Sequence, residues 1–421
     1  MIGPLYPLRA RRHSLGVTTK STTTGTNSPT AAPASASSWG KPVAVLALGS
    51  FAMGTDSFVL AGILPQIAGG LHVSTGEAGQ TITAFALTYG LAAPFLAVLT
   101  SRLPRKPLLA VALALFVLAN LASAAAPDLP LLLVARVVAG LGAALYTPNA
   151  SAAAAALAGP AARGRALSVI LGGLTVGTVF GVPVGTAIGQ HVSWEASLVF
   201  VAAVGALALL GVLVVLPGLP IPPAIPLAQR FAVLANRRVV TMVVFMLLAS
   251  GASIMVYTYT ATVLAEIAGI HGTALAAALL AWGFGGIFGS FGSGFLTDRL
   301  GAARTLTCAV ALLIVTLALL TVCTSLVPVI IVMALNGAAG WAVATPNNHR
   351  LTELVPTLPS VVISFNSSGI YLGQALGAAL GGILVDHDIS ARALCLTGVG
   401  IAVVAGVVHA LIPRQVPEPR N

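Results

Sequence analysis

Two ionisable side chains stand inside apolar runs of this chain. Asp56 lies within AMGTDSFVLAGIL at residues 52–64, and Arg136 within LPLLLVARVVAGL at 129–141. A carboxyl group in a dry cavity holds its proton tightly, a nearby guanidinium loosens it, and admission of water changes both effects. A carboxyl so placed can load a proton on one side of a barrier and unload it on the other. Asp56 falls about 12 Å and Arg136 about 10 Å from the same edge of their helices at 1.5 Å per residue, so the two are expected to face one another. Other readings stay open. The carboxylate can instead bind a cationic substrate, or the two groups can form a purely structural pair, and an Arg bonded to helix carbonyls is also tolerated in such a setting.

The surroundings define the setting. Of 421 residues, 57% are hydrophobic and 7% charged, and the mean hydropathy is +0.99, too little polar surface for a water-soluble domain. Apolar stretches long enough to cross a bilayer as helices recur twelve times. They cover roughly 42–64, 78–100, 106–125, 129–157, 164–189, 196–216, 239–265, 273–297, 304–323, 326–348, 358–384 and 390–412. The fold class is therefore an all-α membrane protein of twelve transmembrane helices. With the first span starting in the cytoplasm, eighteen of the twenty Lys and Arg fall on the cytoplasmic side. This asymmetry predicts a multi-pass protein of the cell membrane with both termini cytoplasmic. It also accounts for the net charge of +10 without a nucleic-acid partner.

The chain reads as a duplication. LTSRLPRKPLL at 99–109 matches LTDRLGAARTL at 296–306, and Thr147-Pro148-Asn149 matches Thr345-Pro346-Asn347. Gly177, Gly181, Gly185 and Gly189 repeat every four residues, as do Gly369, Gly373, Gly377 and Gly381. The expected organisation is a disordered tail at 1–41, a six-helix half at 42–216, a Pro-rich cytoplasmic linker at 217–238, a second half at 239–413 and a tail at 414–421. The acid-free, Arg- and Ser-rich start also resembles a transit peptide. Two parallel six-helix repeats are a transporter plan. The glycine ladders suit close helix packing and, around Pro183, a hinge.

These motifs resemble the major facilitator superfamily, from about residue 42 to 412. Gly294, Asp298, Arg299 and Gly301 fill the loop signature G-x-x-x-D-R-x-G-R-R in the second half. In the first half Ala97, Ser101 and Pro104 replace Gly, Asp and Gly, leaving Arg102, Arg105 and Lys106. ARVVAGLGAA at 135–144 is similar to the fourth-helix Arg signature, and GGLTVGTVFGVPVGTAIG at 172–189 to the fifth-helix signature of drug:proton antiporters. GTDSFVLAGILP at 54–65, VYTYTATVL at 256–264 and FNSSGIYLGQALGAALGG at 365–382 resemble bacterial chloramphenicol-resistance and arabinose-type efflux proteins. Many such relatives carry the acid one position later, at Ser57 here.

The resemblance implies a monomeric transporter working by alternating access, with Asp56 and Arg136 in proton transfer and the loop charges as a latch, against a purely topological role for those charges. It also implies a cavity lined by the first, fourth, seventh and tenth helices. Candidate contacts there are Tyr146, Asn149, Tyr257, Tyr259, Asn336 and Trp341, which can equally serve packing. Few charges and several aromatics suit a neutral amphiphile with hydroxyl or amide groups.

The expected function is export of a small organic compound, an antibiotic such as chloramphenicol, in exchange for protons. The alternatives are a sugar or nucleoside exporter or importer of the same fold, and a membrane-embedded enzyme or receptor. Against the enzyme, the chain has no HExxH, GxSxG, Walker loop or paired intramembrane carboxylates. No cofactor or metal is expected. Cys308, Cys323 and Cys395 lack CxxC spacing, the histidines lack ligand spacing, and Glu266 and His271 belong to a solvated helix end.

Overall fold

The computed structural model describes residues 39–100, 102–219 and 227–412. The tails expected at 1–41 and 414–421 lie outside these residues except for 39–41, as do Ser101 and the middle of the Pro-rich linker.

Among the described residues, twelve helical spans follow one another in sequence. They are α1 (Gly40–Val59), α2 (Thr75–Leu99), α3 (Arg105–Ala124), α4 (129–158), α5 (160–191), α6 (Trp194–Val215), α7 (Arg237–Thr258), α8 (Gly272–Leu300), α9 (Ala302–Leu320), α10 (Leu326–Ala342), α11 (Pro359–Asp386) and α12 (Ala391–Ala410). Helices dominate because a backbone in hydrocarbon must satisfy its own polar groups. No strand occurs among the described residues.

The ends follow local chemistry. Ser74 and Glu77 form a reciprocal box at the start of α2, with N···O distances of 2.8 and 2.9 Å. Asp128 caps α4 through the Leu131 amide at 3.0 Å, and Ser193 caps α6 through that of Ala196 at 3.2 Å. Helix runs on almost without interruption from α4 into α5, the break being Gly159 at φ 67°, ψ 179°. That backbone conformation is open to glycine, and Pro160 begins α5 directly after it. Three spans continue beyond a break: α1 into Leu64–Leu71, α7 beyond Tyr259 into Thr260–Ala268, and α10 beyond Val343 into Ala344–Leu354.

The glycine ladders meet main chain. A Cβ on Gly173 or Gly177 would strike the carbonyl oxygen of Ala47 or Phe51 on α1, and one on Gly373 or Gly377 that of Leu247 or Gly251 on α7. Each pair is 126 residues apart, and the two sets are related by 200 residues. α5 therefore lies on α1 in the same register as α11 lies on α7. A π-turn at Gly177–Gly181 precedes Pro183, giving α5 the extra residue that a proline inside a helix demands.

The halves touch through α2 against α11 and through α5 against α8. One face of the bundle carries the start of α1, the end of α12 and the loop arginines; it is called the basic face below. On the opposite face α5 and α8 are in contact down to Phe180 and Phe284, whose centroids are 5.6 Å apart. Nearer the basic face a Cβ on Gly172 or Gly292 would meet nothing within 4 Å, and Phe291 is 72% exposed. The halves are thus in contact on the opposite face, and near the basic face Phe95 of α2 and Phe365 of α11 both pack on Phe231.

Candidate functional site

α1 carries Asp56 and α4 carries Arg136 to the same depth, and the structure joins them. Arg136 Nη1 and Nη2 donate to Asp56 Oδ1 and Oδ2 at 2.8 and 3.0 Å, the two-pronged geometry in which guanidinium and carboxylate match best. Both residues are 1% exposed. Asn120 on α3 accepts from Arg136 Nη1 at 3.4 Å, and the guanidinium carbon lies 4.7 Å from the centre of the Phe85 ring on α2. Arg136 Nε is buried without a partner among the described residues. Desolvating both charges consumes most of their attraction, so the pair adds little net stability, while either charge alone would be very costly there.

Ser57, one position on, points to other neighbours. Its hydroxyl donates to Met53 O at 2.8 Å and lies beside Tyr371 of α11, from the other half. Tyr371 stacks on Tyr89 of α2 with centroids 3.6 Å apart and planes inclined by 23°. Tyr89 in turn lies beside the Thr147 hydroxyl of α4.

Next along α1, Phe58 meets an aromatic cluster from the second half. Its centroid is 5.6 Å from Tyr257 on α7, 5.6 Å from Trp282 on α8 and 6.1 Å from Trp341 on α10. Tyr257 also donates to Phe58 O at 3.4 Å. Trp341 is only half-buried, so its ring is available to a molecule between the halves.

Of the six candidate cavity residues, Tyr257 and Trp341 meet in this cluster, Asn336 bonds to its Trp282, and three lie elsewhere. Tyr146 donates to Leu46 O at 2.7 Å inside the first half. Asn149 accepts from Arg105 at the basic end of α3 and donates to Leu145 O. Tyr259 donates to Ala378 O at 2.9 Å and packs against Gly79 across the halves. Asn336 accepts from Trp282 Nε1 at 3.3 Å and donates to Thr316 at 3.1 Å. Phe58, Asn120, Tyr89, Tyr371 and Trp282 were not singled out in the sequence. An amide in the apolar run around Asn120 was a readable signal; the others look like ordinary span residues.

The loop residues do not converge on the pair. Arg102 and Asp298 are exposed at the basic face, and among the described residues Asp298 makes no ion pair. Arg299 covers the Phe295 ring at 4.2 Å. Gly301 adopts φ 85° to turn the chain from α8 into α9, and its carbonyl accepts the Thr305 amide at 3.2 Å. Lys106 is half-buried at the start of α3, and Gly294 faces Thr345.

Comparison with known proteins fits this arrangement. The family model described as Major Facilitator Superfamily matches residues 46–357 and 241–421. The chain belongs to the Major Facilitator Superfamily. An uncharacterised transporter of this type, YbcL of Bacillus subtilis, is 31% identical over 375 residues, 89% of this chain and 96% of its own. A chloramphenicol resistance protein of Streptomyces lividans is 31% identical over 350 residues, 82% of this chain and 89% of its own. Among solved structures, a bacterial homologue of the human lysosomal transporter Spinster, in an inward-facing and unoccupied conformation, superposes with a TM-score of 0.69. It is 18% identical and covers 88% of this chain and 96% of its own, a likeness of fold alone.

This transporter is a multi-pass membrane protein whose one ion pair buried in the bilayer region, among the described residues, lies within the first half. Its aromatic cluster closes the space between the halves.

Proposed function

We propose that the protein exports a small, neutral, aromatic compound, an antibiotic such as chloramphenicol, in exchange for protons, with Asp56 as the proton's seat. The observation that carries this reading is the dry, two-pronged Asp56–Arg136 pair. Protonation of Asp56 removes one of the two buried charges and frees the guanidinium. A proton taken up on one side of the membrane therefore changes the balance between the two arrangements of the halves. The aromatic ceiling of Phe58, Tyr257 and half-buried Trp341 suits an uncharged ring, and the similarity to a chloramphenicol resistance protein points to the same class of cargo. The excess of arginine on the basic face makes that face cytoplasmic, with both termini on it. The loop charges Arg102, Arg105, Lys106, Asp298 and Arg299 act as a latch when that face closes, and the protein works as a monomer.

The test is chloramphenicol accumulation in pump-deficient bacteria, with expression matched by blot. Wild type is expected to lower accumulation, and both Asp56→Asn and a protonophore to abolish the effect. Equal pumping by Asp56→Asn removes the proton assignment. No effect of wild type removes the cargo, and sugars and nucleosides are then assayed in the same cells.

A further inference from the structure

A groove on the outside of the second half serves neither the ion pair nor the aromatic cluster. It runs between α9 and α12, which pack on one another and on other helices of that half, and it encloses about 540 Å³. Val315 of α9 and Val407 of α12, beside it, are apolar and exposed, so this side of the bundle meets lipid.

The groove changes character with depth. At its basic end it is lined by Thr307 of α9, His409 of α12 and Arg350 from the continuation of α10. Arg350 Nη1 donates to His409 Nδ1 at 3.4 Å, and His409 Nε2 lies 3.1 Å from Thr307 Oγ1 and 3.2 Å from Ala303 O. The imidazole is 8% exposed and rests on the Phe245 ring of α7, with centroids 5.5 Å apart. His409 is thus a fixed spacer that ties the guanidinium to α9. Deeper, the walls are Val310, Ala311 and Ile314 on one side and Gly406 on the other. Ile314 stands seven residues beyond Thr307, about 10 Å further into the bilayer region. Among the described residues no carboxyl group lines the groove. Glu353, one turn beyond Arg350, is exposed and pairs with His349 at 3.5 Å.

A cation at the membrane boundary above an apolar cleft matches a phosphodiester that carries hydrocarbon chains. Arginine offers phosphate oxygens a planar fork of donors, and basic pockets between helices at such a boundary collect anionic headgroups. A zwitterionic headgroup brings a cation of its own toward Arg350 and fits less well. The chain beyond the groove, PRQVPEPRN at 413–421, holds two arginines and one acid, too polar a segment to cover the deep apolar wall.

We propose that this groove binds an anionic phospholipid from the leaflet on the basic face, with the phosphate at Arg350 and Thr307 and one acyl chain along Ala311, Ile314 and Gly406. A lipid seated there joins α9, α10 and α12 at their basic ends. The site is independent of cargo and of the proton's seat.

The experiment titrates the purified full-length protein in detergent with dioleoyl phosphatidylglycerol, dioleoyl phosphatidylcholine or inorganic phosphate, and native mass spectrometry counts the lipid retained. Wild type should retain phosphatidylglycerol in preference to phosphatidylcholine. Arg350→Gln should weaken phosphatidylglycerol binding about tenfold, as for loss of a charged hydrogen bond. Arg238→Gln, an exposed arginine at the start of α7, should leave it unchanged. Ala311→Trp fills the cleft and keeps the cation, so it should weaken both lipids, and it decides the matter if Arg350→Gln does not fold. Wild-type retention in both Arg350→Gln and Ala311→Trp overturns the proposal, as does a wild type that prefers neither lipid. Displacement of the lipid by inorganic phosphate makes the site one for the free anion and overturns the lipid assignment. Phosphatidylglycerol binding that appears only after removal of residues 413–421 makes the tail the occupant and overturns it too.

Discussion

Asp386, at the last turn of α11, accepts a hydrogen bond from the Gly76 amide at the first turn of α2, with Oδ1 3.0 Å from the nitrogen. The bond joins the two halves on the opposite face. A carboxylate at a helix N-terminus is favoured by the unpaired amides and the helix dipole, and this contact exists only when that face is shut. Asp386→Asn keeps the shape and removes the charge. It should raise the population open on that face about two- to fivefold. Distances between spin labels placed on the two halves at that face will show the shift, and an unchanged distribution would mean that the contact does not favour closure.

Removing one partner of the Asp56–Arg136 pair should cost more than removing both. Arg136→Ala leaves a buried carboxylate without compensation, a loss of about 3–5 kcal/mol. Asp56→Asn combined with Arg136→Gln should recover much of that. Thermal unfolding of the three proteins in one detergent tests the ordering, and additive losses would contradict mutual dependence.

The glycine ladder predicts a contrast within one helix. A Cβ at Gly177 collides with the Phe51 carbonyl, whereas one at Gly172 meets nothing within 4 Å. Gly177→Ala should destabilise by about 1–3 kcal/mol because main chain must move. Gly172→Ala should be neutral or stabilise by about 0.5–1 kcal/mol through helix propensity. Melting temperatures of the two variants decide whether the ladder is a packing device.

The two tryptophans of the aromatic cluster should separate cargo binding from folding. Trp282 is 1% exposed and bonded to Asn336, so Trp282→Ala should lose about 3–5 kcal/mol of stability. Trp341 is half-buried. Trp341→Ala should fold and yet bind chloramphenicol more weakly, as measured by quenching of the remaining tryptophans. Equal binding would place the cargo elsewhere.

Much of this architecture was legible because lipid imposes a blunt rule. Any span of about 20 apolar residues must become a helix, and a lone acid and a lone base at matching depths must find each other. Asp56 and Arg136 were readable on that ground alone. Tyr371 was not, since only the packing of α11 on α2 reveals that its ring lies on Tyr89 beside Ser57. The same limit applies to the candidate cavity residues. Periodicity cannot say whether Tyr146 turns toward the space between the halves or toward Leu46 in its own half. The break at Gly159 falls in the gap expected between spans 129–157 and 164–189, although Gly159-Pro160 sits in an alanine-rich run.

The 126-residue register of α5 on α1 and of α11 on α7 has a further consequence. At Gly173, Gly177, Gly373 and Gly377 the glycines abut carbonyl oxygens, which every residue type possesses. The side chains of α1 and α7 are therefore released from much of the work of holding those helices in place. Mutation can alter what these two helices present to a passing molecule while the joints behind them stay sound. A lineage built on such joints can change its cargo by few substitutions and keep its machinery intact.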